Sequence, residues 1–199
     1  MLALKKIAVT GTVASGKSSV LEFFKELGAF IVDSDEIVRE LLDPYSNIGK
    51  QIISRLGPEV VKSGRFDRRK MAEIVFNCPE QLKELESILH PAVLKIITDL
   101  HKEVEKRQTY RLFLAEIPLL FEIGAEQLFD QIITVKARPD IRRKRFMKSD
   151  FDARSSRQLS EEEKERHADY IIENNGSLEE LKKKTFELYQ LLIKKTMIQ

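Results

Sequence analysis

One segment near the start of the chain combines glycine, lysine and serine at the spacing of a phosphate-binding loop. Residues 11–18 read GTVASGKS and match the pattern G-x-x-x-x-G-K-[ST]. In such a loop, glycines let successive backbone N–H groups converge on one anion beside a helix N-terminus. We expect Lys17 to reach the outer phosphates and the Ser18 hydroxyl to bind Mg²⁺, which prefers oxygen ligands. The predicted phosphate contacts are Gly11, Val13, Ala14, Ser15, Gly16, Lys17, Ser18 and Ser19.

The elements on either side of this loop support a phosphate site. Residues 6–10 are short, apolar and β-branched, as in a buried parallel strand. Apolar residues recur at helical spacing over residues 20–27, and Gly28 follows where a helix would end. The alternative is a turn that only caps a helix. A loop between a strand and a helix is the context that a nucleotide site requires, so the flanking elements favour the phosphate site.

A second strand, predicted at residues 29–32, ends in a carboxylate. Asp33 follows it directly, and active residues of open α/β sheets collect at such strand ends. Asp33 is a candidate to accept a proton from an attacking hydroxyl or to hold a metal through water. Asp35 and Arg39 accompany a predicted helix at 36–42, where Arg39 could bind an anionic substrate. Both aspartates could instead cap that helix; the nearby phosphate loop favours function for Asp33 and leaves Asp35 open.

A third strand, predicted at residues 111–115, delivers a second carboxylate. P-loop enzymes place an acidic residue at the end of a strand beside the first, where it steers Mg²⁺ and its waters. Glu116 is the candidate for that role, acting through water. The apolar run that follows could wall a pocket for a flat group, with Leu119 and Leu120 as candidate substrate contacts. Core packing is the alternative for this run.

Between the second and third strands, residues 44–107 are mainly helical and form a predicted insertion. Candidate helices cover residues 45–56, 67–76, 79–89 and 91–104, the last with Pro91 in its first turn. An insertion at this point is well placed to hold a second substrate. Two roles stay open for His90: a substrate contact or proton carrier, and a hydrogen-bonded structural side chain.

The most basic part of the chain is residues 136–157, and residues 138–167 are interpreted as a lid. A fourth strand at 130–135 leads into it, followed by a predicted helix at 139–148 and a mobile loop at 149–152. Arginines on a lid can swing onto a triphosphate and neutralise its charge. The alternative is a nucleic-acid-binding patch, which is disfavoured because aromatic residues are few and acidic residues intervene.

The end of the chain completes the sheet. Ser160 and Glu163 have the spacing of a capping box that starts a short helix. A fifth strand is predicted at 170–173, and a terminal amphipathic helix begins at Ser177. The polar turn between them can hydrogen-bond an adenine edge, so Asn174 is a candidate nucleotide contact, although most such turns bind nothing.

Composition limits the possible classes of protein. The length of 199 residues suits one domain, and a net charge of +2 provides no general attraction to nucleic acid or anionic membranes. The single Cys78 excludes an intramolecular disulfide framework. No apolar run reaches the ~18 residues of a membrane span, and the first residues lack a signal-peptide layout. We therefore expect a cytoplasmic protein without membrane or nucleic-acid partners, as a monomer or weak homo-oligomer.

Five motifs, taken in order, resemble the dephospho-coenzyme A kinase family, which belongs to the P-loop kinases similar to nucleoside-monophosphate kinases. The family patterns T-G-x-x-x-S-G-K-S and D-A-D-x-x-x-R correspond to residues 10–18 and 33–39. The patterns L-x-x-I-x-H-P and D-x-P-L-L-F-E correspond to residues 85–91 and 116–122. The pattern A-D-x-x-I-x-N-x-G corresponds to residues 168–176. The loop alone is unspecific, whereas the ordered set covers nearly the whole chain and is highly specific.

The resemblance implies an α/β P-loop fold of three layers, with a five-stranded parallel sheet in the order 2-3-1-4-5. It implies a core (1–43, 108–137 and 168–199), a helical insertion on the coenzyme A side (44–107) and a lid (138–167). The implied reaction is ATP-dependent phosphorylation of the ribose 3′-hydroxyl of dephospho-coenzyme A (dephospho-CoA), the last step of coenzyme A synthesis. ATP and dephospho-CoA are then the small-molecule partners, and Mg²⁺ is the cofactor.

The resemblance also implies roles for individual residues. Asp33 becomes the base or orienter for the acceptor hydroxyl, and Arg39 a contact to a substrate phosphate. Lys17 and Arg154 offset phosphate charge when the lid closes, and Arg145 is a further candidate contact to ATP.

Two departures from the family pattern matter. Glu116 stands where the family usually has Asp, which moves the carboxylate outward by one methylene; a bridging water accommodates this. The lid is shorter than usual, and Lys148 occupies a position usually held by Arg. Arg145 and Arg154 therefore both stay open as the lid arginine that reaches the phosphates, with Arg154 the better match.

Three alternative functions make different demands. A nucleoside-monophosphate kinase, or another small-molecule P-loop kinase, would turn over a different acceptor and leave dephospho-CoA unchanged. A GTPase switch requires N-K-x-D and D-x-x-G motifs, and the sequence contains neither. A nucleic-acid-binding ATPase predicts affinity for DNA or RNA that weakens steeply as salt rises.

Overall fold

A five-stranded parallel sheet forms the centre of the larger part of the molecule. The structure, a computed structural model, describes residues 3–146 and 151–197. In chain order the strands are β1 (Lys5–Thr10), β2 (Phe30–Asp33), β3 (Val61–Lys62), β4 (Arg65–Phe66), β5 (Leu112–Glu116), β6 (Gln131–Lys136) and β7 (Tyr170–Glu173). Strands β3 and β4 pair as a small antiparallel hairpin, and the other five form the sheet.

The sheet order is β2-β5-β1-β6-β7. Counted among the strands of this sheet alone, this is the predicted order 2-3-1-4-5; the difference in detail is the β3-β4 hairpin, which was not predicted. Every neighbouring pair in the sheet is parallel. All carboxyl ends therefore lie at one edge, the edge at which open α/β sheets bind their ligands.

Nine α-helices and two short 3-10 helices, Pro58–Val60 and Glu126–Leu128, accompany the strands in the described part of the chain. The α-helices are α1 (Lys17–Glu26), α2 (Ser34–Leu41), α3 (Asn47–Leu56), α4 (Arg68–Asn77), α5 (Pro79–Arg107), α6 (Pro139–Arg145), α7 (Phe151–Ser155), α8 (Glu161–Arg166) and α9 (Leu178–Met197). The capping box predicted at Ser160 and Glu163 is present and starts α8. No helix within the described ranges has the length and apolar content needed to cross a membrane.

The chain divides into two compact units, Met1–Asp33 with Leu100–Gln199, and Ser34–Asp99. In the first, the central strands are nearly continuous apolar runs because both of their faces are covered. Their side chains pack with α1 and α9 into one core, in which the rings of Phe24 and Tyr189 lie 6.4 Å apart. The predicted division into core, insertion and lid stays a prediction.

The second unit has its own apolar core. Ile52 and Leu56 of α3 are buried with Met71 of α4 and Leu89 of α5, and Val60 lies among them. The Ser46 side chain caps α3 by accepting a hydrogen bond from the Gly49 N–H, and Asp67 caps α4 in the same way. Helical spacing of apolar residues predicted α3 and α4 at nearly the observed positions.

One prediction about the second unit is wrong. The sequence favoured two helices, at 79–89 and 91–104, whereas the structure has a single helix, α5, that continues through Pro91. Proline in a helix interior removes one backbone hydrogen bond and crowds the preceding turn. Leu89 and Val93, on either side of Pro91, are both buried. Their packing holds the helix continuous despite the local cost.

The lid prediction also needs a correction. The mobile loop expected at 149–152 extends into a helix, because α7 covers Phe151–Ser155. Residues 149 and 150 lie outside the described residues, as does Lys148. The preceding helix, α6, ends at Arg145 rather than at 148. The ring of Phe151, the first residue of α7, packs against Phe146, with centroids 5.4 Å apart.

Candidate active site

The phosphate loop connects β1 to α1 and has the backbone that its glycines permit. Gly11 has a φ of +144° and Gly16 a φ of +98°, both positive. A Cβ on Gly11 would lie 2.1 Å from the Val135 carbonyl oxygen, and one on Gly16 would lie 2.1 Å from Asn174 Nδ2. Both positions therefore require glycine for two reasons, backbone conformation and close approach.

Two further residues of the loop are unusual in ways that suit a ligand site. Ala14 has a φ of +60°, a conformation that non-glycine residues rarely adopt and that concentrates at functional sites. The Ser15 hydroxyl is buried and has no hydrogen-bond partner among the described residues. An orphaned buried donor of this kind fits a loop built to receive an anion.

Lys17, the first residue of α1, is folded back onto the loop. Its Nζ donates to the carbonyl oxygens of Gly11 and Thr12 at 3.1 and 3.2 Å. The same ammonium lies 4.0 Å from Glu116 Oε1, and the residue is only 8% exposed. One buried cation is thus held between the loop carbonyls and the carboxylate at the end of β5.

Asp33 and Glu116 meet at the carboxyl edge of the sheet. They are the last residues of β2 and β5, and the strand register pairs them with each other. Glu116 is also in register with Val9 of β1, one residue before the strand runs into the phosphate loop. Parallel pairing therefore places the two predicted carboxylates next to each other. It also places them near the phosphate loop, which follows β1.

Asn174 and Arg145, two predicted nucleotide contacts, lie together against the phosphate loop. Asn174 Nδ2 donates to the Ser15 carbonyl oxygen at 2.8 Å. The Arg145 guanidinium donates to the backbone and side-chain oxygens of Asn174 at 3.1 and 3.2 Å. Asn174 therefore links the end of β7, the loop and the lid arginine in one chain of contacts.

The region after α7 contacts the same loop through side chains that sequence reasoning did not identify. Gln158 Oε1 accepts a hydrogen bond from the Val13 N–H at 2.8 Å. Thr12 Oγ1 donates to Glu161 Oε1 at 3.4 Å, and Glu161 also accepts from the Ala137 N–H at 3.2 Å. Part of the predicted lid is therefore docked on the phosphate loop.

A buried ion pair supports this docked segment. Lys164 of α8 is fully buried, and its Nζ lies 2.7 Å from Glu122 Oε1 and donates to the Pro118 carbonyl oxygen at 3.0 Å. The same Glu122 oxygen accepts from the Leu159 N–H at 2.7 Å. Burial lowers the pKa of Lys164 from its ordinary value, while the hydrogen bond and charge of Glu122 oppose that shift.

The arginines of the predicted lid lie in different environments. Arg142 is buried and donates through Nε to the Ala137 carbonyl oxygen at 3.0 Å, whereas its neighbour Arg143 is exposed and pairs with Asp152 at 2.9 Å. The two diverge, as expected for adjacent helix residues. Arg154 is exposed on α7, with its Cζ 6.0 Å from the Phe146 ring centroid.

The predicted substrate contacts fall in both units. Asp35 and Arg39 are exposed and lie four residues apart on α2, which begins directly after Asp33. His90 is half-buried within α5. In the first unit, Leu119 is half-buried, whereas Leu120 is 0% exposed. Full burial favours the core-packing role for Leu120 and leaves Leu119 as the accessible member of that pair.

The two residues predicted to bind a metal ion, Ser18 and Glu116, supply oxygen ligands but do not surround the ion. Ser18 is exposed at the start of α1, and Glu116 is half-buried at the end of β5. Within the described ranges, no three His, Cys, Asp or Glu side chains are grouped so that they could hold a metal ion. A hydroxyl and a carboxylate fit Mg²⁺, which is usually bound through one or two protein oxygens, several waters and substrate phosphates.

Two of the missed residues lie in or beside motifs that the sequence shows, but those motifs do not reveal their contacts. Glu122 closes the 116–122 motif, and Lys164 falls one residue after the capping-box Glu163. Neither position indicated burial, because a lysine on a short, highly charged helix is ordinarily solvated. Gln158 carried no signal at all, since a glutamine in a polar segment is normally exposed.

Comparison with known proteins gives one consistent family. A family model described as dephospho-CoA kinase matches residues 5–180. The dephospho-CoA kinase of Chlamydia abortus is 44% identical over 198 residues, covering 96% of this chain and 98% of that protein.

Two solved structures have the same fold over nearly their whole length. A crystal structure of the protein TT1252 from Thermus thermophilus superposes with a TM-score of 0.75 at 34% identity, covering 95% of this chain and 98% of that one. The dephospho-CoA kinase from Campylobacter jejuni superposes with a TM-score of 0.73 at 29% identity, covering 95% and 97%.

Proposed function

The chain belongs to the dephospho-CoA kinase family, and from that premise we propose how its own residues perform the reaction. The reaction transfers the γ-phosphoryl group of ATP to the ribose 3′-hydroxyl of dephospho-CoA and produces CoA and ADP. The observation that carries the proposal is the meeting of Lys17, Glu116 and Asp33 at one end of the sheet. The Lys17 ammonium, at the start of α1, lies beside the carboxylate that ends β5, and Asp33 ends the neighbouring strand β2.

The donor half of the site is the phosphate loop. The N–H groups of residue 14 and residues 16–19 bind the phosphate oxygens, and the positive φ at Gly16 supports this by turning the chain into α1. The N–H groups of Val13 and Ser15 donate to Gln158 and to the Thr12 carbonyl oxygen, so these two residues line the phosphate site without donating to it. Lys17 exchanges its contacts with the loop carbonyls for the outer phosphates. Its 4.0 Å separation from Glu116 keeps the ammonium beside the carboxylate that would help to hold Mg²⁺.

The nucleotide is covered by Asn174 and Arg145. Because both Arg145 bonds go to oxygens of Asn174, the planar guanidinium is held beside Gly16 and the start of α1. In that position it contacts ATP. Arg154 lies on a separate helix, α7, and neutralises the negative charge that develops during phosphoryl transfer.

Mg²⁺, when bound, neutralises phosphate charge and orients the triphosphate. The Ser18 hydroxyl would hold the ion directly, and Glu116 would hold it through a water molecule. The longer side chain of Glu116, compared with the family's usual Asp, is compatible with this indirect role.

The acceptor half begins at Asp33. Its carboxylate accepts the hydrogen bond of the ribose 3′-hydroxyl, aligns the oxygen for attack and takes its proton as the phosphorus–oxygen bond forms. Asp35, Arg39 and His90 bind dephospho-CoA, with Arg39 on a phosphate, and Leu119 packs against it.

We also propose that the enzyme works in the cytoplasm as a monomer or a weak homo-oligomer. A single cysteine, Cys78, suits a reducing compartment. Analytical ultracentrifugation of the purified protein tests the oligomeric state directly.

A coupled ADP-release assay tests the function. The acceptors are dephospho-CoA and a panel of nucleoside monophosphates, each at matched concentration with ATP and Mg²⁺. We expect turnover with dephospho-CoA and formation of CoA, identified by mass. Turnover with a monophosphate alone would overturn the proposed acceptor, and removal of Mg²⁺ by EDTA should abolish activity and leave the fold intact by circular dichroism.

A further inference from the structure

One side chain from the lid region bridges two loops of the site. Gln158 Oε1 accepts from the Val13 N–H at 2.8 Å, and Gln158 Nε2 donates to the Pro118 carbonyl oxygen at 3.4 Å. Val13 belongs to the phosphate loop, and Pro118 lies two residues after Glu116. A single amide therefore ties the phosphate loop to the segment that carries the metal-side carboxylate.

The segment around Gln158 is itself held firmly. Its neighbour Leu159 donates through its N–H to Glu122, and the buried Lys164 binds both Glu122 and the Pro118 carbonyl oxygen. Thr10 Oγ1, at the end of β1, donates to the same Pro118 oxygen at 3.4 Å. Three donors thus converge on one carbonyl, and Gln158 is the one that continues to the phosphate loop.

The chemistry of this bridge demands an amide of this length. Its two polar atoms lie at one end of the side chain, one accepting and one donating. Leucine has neither group, and an ionised glutamate can accept from Val13 but cannot donate to Pro118. An ionised glutamate would also put negative charge beside N–H groups that attract phosphate.

We infer that Gln158 is a positioning residue for phosphoryl transfer, an inference that rests on the proposed function. It holds the phosphate loop and the Glu116 segment in a fixed relation when the lid region is docked. It takes no part in proton transfer. Because a displacement of about 1 Å in a reacting group can cost about 10²-fold in rate, loosening this bridge should lower kcat by about 10- to 100-fold.

The kinetic test compares Gln158→Leu and Gln158→Glu with the unaltered enzyme. The matched controls are Gln127→Leu and Gln127→Glu, because Gln127 is an exposed glutamine in the short helical turn at Glu126–Leu128. We expect both Gln158 variants to lose kcat at neutral pH with the KM for dephospho-CoA within about twofold of normal. The controls should retain normal constants. Normal kcat in Gln158→Leu would overturn the inference.

The pH dependence separates positioning from a general loss of stability. A protonated glutamate carries one acceptor and one O–H donor, so it reproduces the amide. The ratio of kcat for Gln158→Glu to that of the unaltered enzyme should therefore rise as pH falls from about 8 towards the carboxyl pKa, ordinarily about 4.3. The ratio for Gln158→Leu should stay flat. A flat ratio for both variants would count against the bridge.

Hydrogen exchange of the protein without substrates gives a readout independent of catalysis. The peptide that contains Val13 should exchange faster in Gln158→Leu than in the unaltered protein, while peptides from α9 stay unchanged. Unchanged exchange at Val13 would refute the bridge. If exchange changes as expected but no protein turns over dephospho-CoA, the bridge stands and the proposed function fails.

Discussion

Asp33 and Glu116 pair in register as the last residues of the neighbouring parallel strands β2 and β5. The two carboxylates come from positions far apart in the chain, and each follows an apolar strand. In the proposed function this pairing separates two tasks, metal binding and activation of the acceptor, at one edge of the sheet. Glu116 lies on the side of Lys17 and the phosphate loop, and Asp33 leads directly into α2 with its candidate acceptor contacts.

Replacing Asp33 with Asn should lower the rate of phosphoryl transfer by about 10²–10⁴-fold, because an amide cannot take the proton of the hydroxyl. Single-turnover experiments with saturating ATP measure this step. Asp130→Asn is the matched control: Asp130 precedes β6, at the opposite edge of the sheet, and its side chain accepts from the Lys6 N–H, which an amide oxygen can also do. A normal single-turnover rate in Asp33→Asn would remove the proposed base.

Replacing Lys17 with Ala should reduce kcat/KM for ATP by about 10²–10³-fold, the usual cost of losing one preorganised donor to a developing charge. The melting temperature should change little, since the lost contacts are to two loop carbonyls and to Glu116, whose carboxylate is half-buried and keeps access to water. Lys25→Ala, at an exposed position of the same helix, should leave both quantities unchanged. Unfolding of Lys17→Ala, seen by circular dichroism, would instead assign the lysine a structural role.

Two glycine variants distinguish backbone strain from close approach. Gly16 and Gly28 have similar φ values, +98° and +89°, but a Cβ on Gly16 would lie 2.1 Å from Asn174 Nδ2 and one on Gly28 meets nothing within 4 Å. Both Ala variants should lose about 1–2 kcal/mol of unfolding free energy from the left-handed backbone. Only Gly16→Ala should also weaken ATP binding, measured by calorimetry, because it displaces Asn174 and with it Arg145. Equal ATP affinities would show that the contact is unimportant.

The two lid arginines should respond differently to replacement by Ala. Arg145→Ala should raise the KM for ATP by about tenfold, as for the loss of one charge-assisted contact. Arg154→Ala should lower kcat with a smaller effect on that KM. Arg111→Ala, at an exposed position just before β5, is the control. The reverse pattern would exchange the roles assigned to Arg145 and Arg154.

The buried pair Lys164–Glu122 should show strong coupling in stability. Removing one partner leaves a buried charge, so Lys164→Met or Glu122→Leu alone should lose about 3–5 kcal/mol, while the double variant should be close to neutral. Burial lowers the pKa of Lys164, so the folded state binds fewer protons than the unfolded state between that lowered pKa and the ordinary 10.5. Stability contributed by this group therefore rises with pH across that window, and Lys164→Met should flatten the rise in urea titrations. Additive single effects would contradict the coupling.

Local chemistry determined much of this protein from the sequence. The phosphate loop needs only eight neighbouring residues, because Gly11 and Gly16 permit its backbone and Lys17 begins the helix that follows. The apolar runs before Asp33 and Glu116 predicted buried strands, and parallel strands bring their carboxyl ends to one edge. The resemblance of the ordered motifs supplied the strand order and the family.

Only the tertiary structure decided which distant side chains meet. Gln158 lies 145 residues from Val13, and Arg145 lies 29 residues from Asn174, so no local pattern relates either pair. The burial of Lys164 depends on Glu122 and the Pro118 carbonyl oxygen, and the continuity of α5 through Pro91 depends on packing around Leu89 and Val93. A charge can be buried, or a proline kept inside a helix, only when contacts with other segments offset the loss of stability. Those contacts exist only in the folded chain.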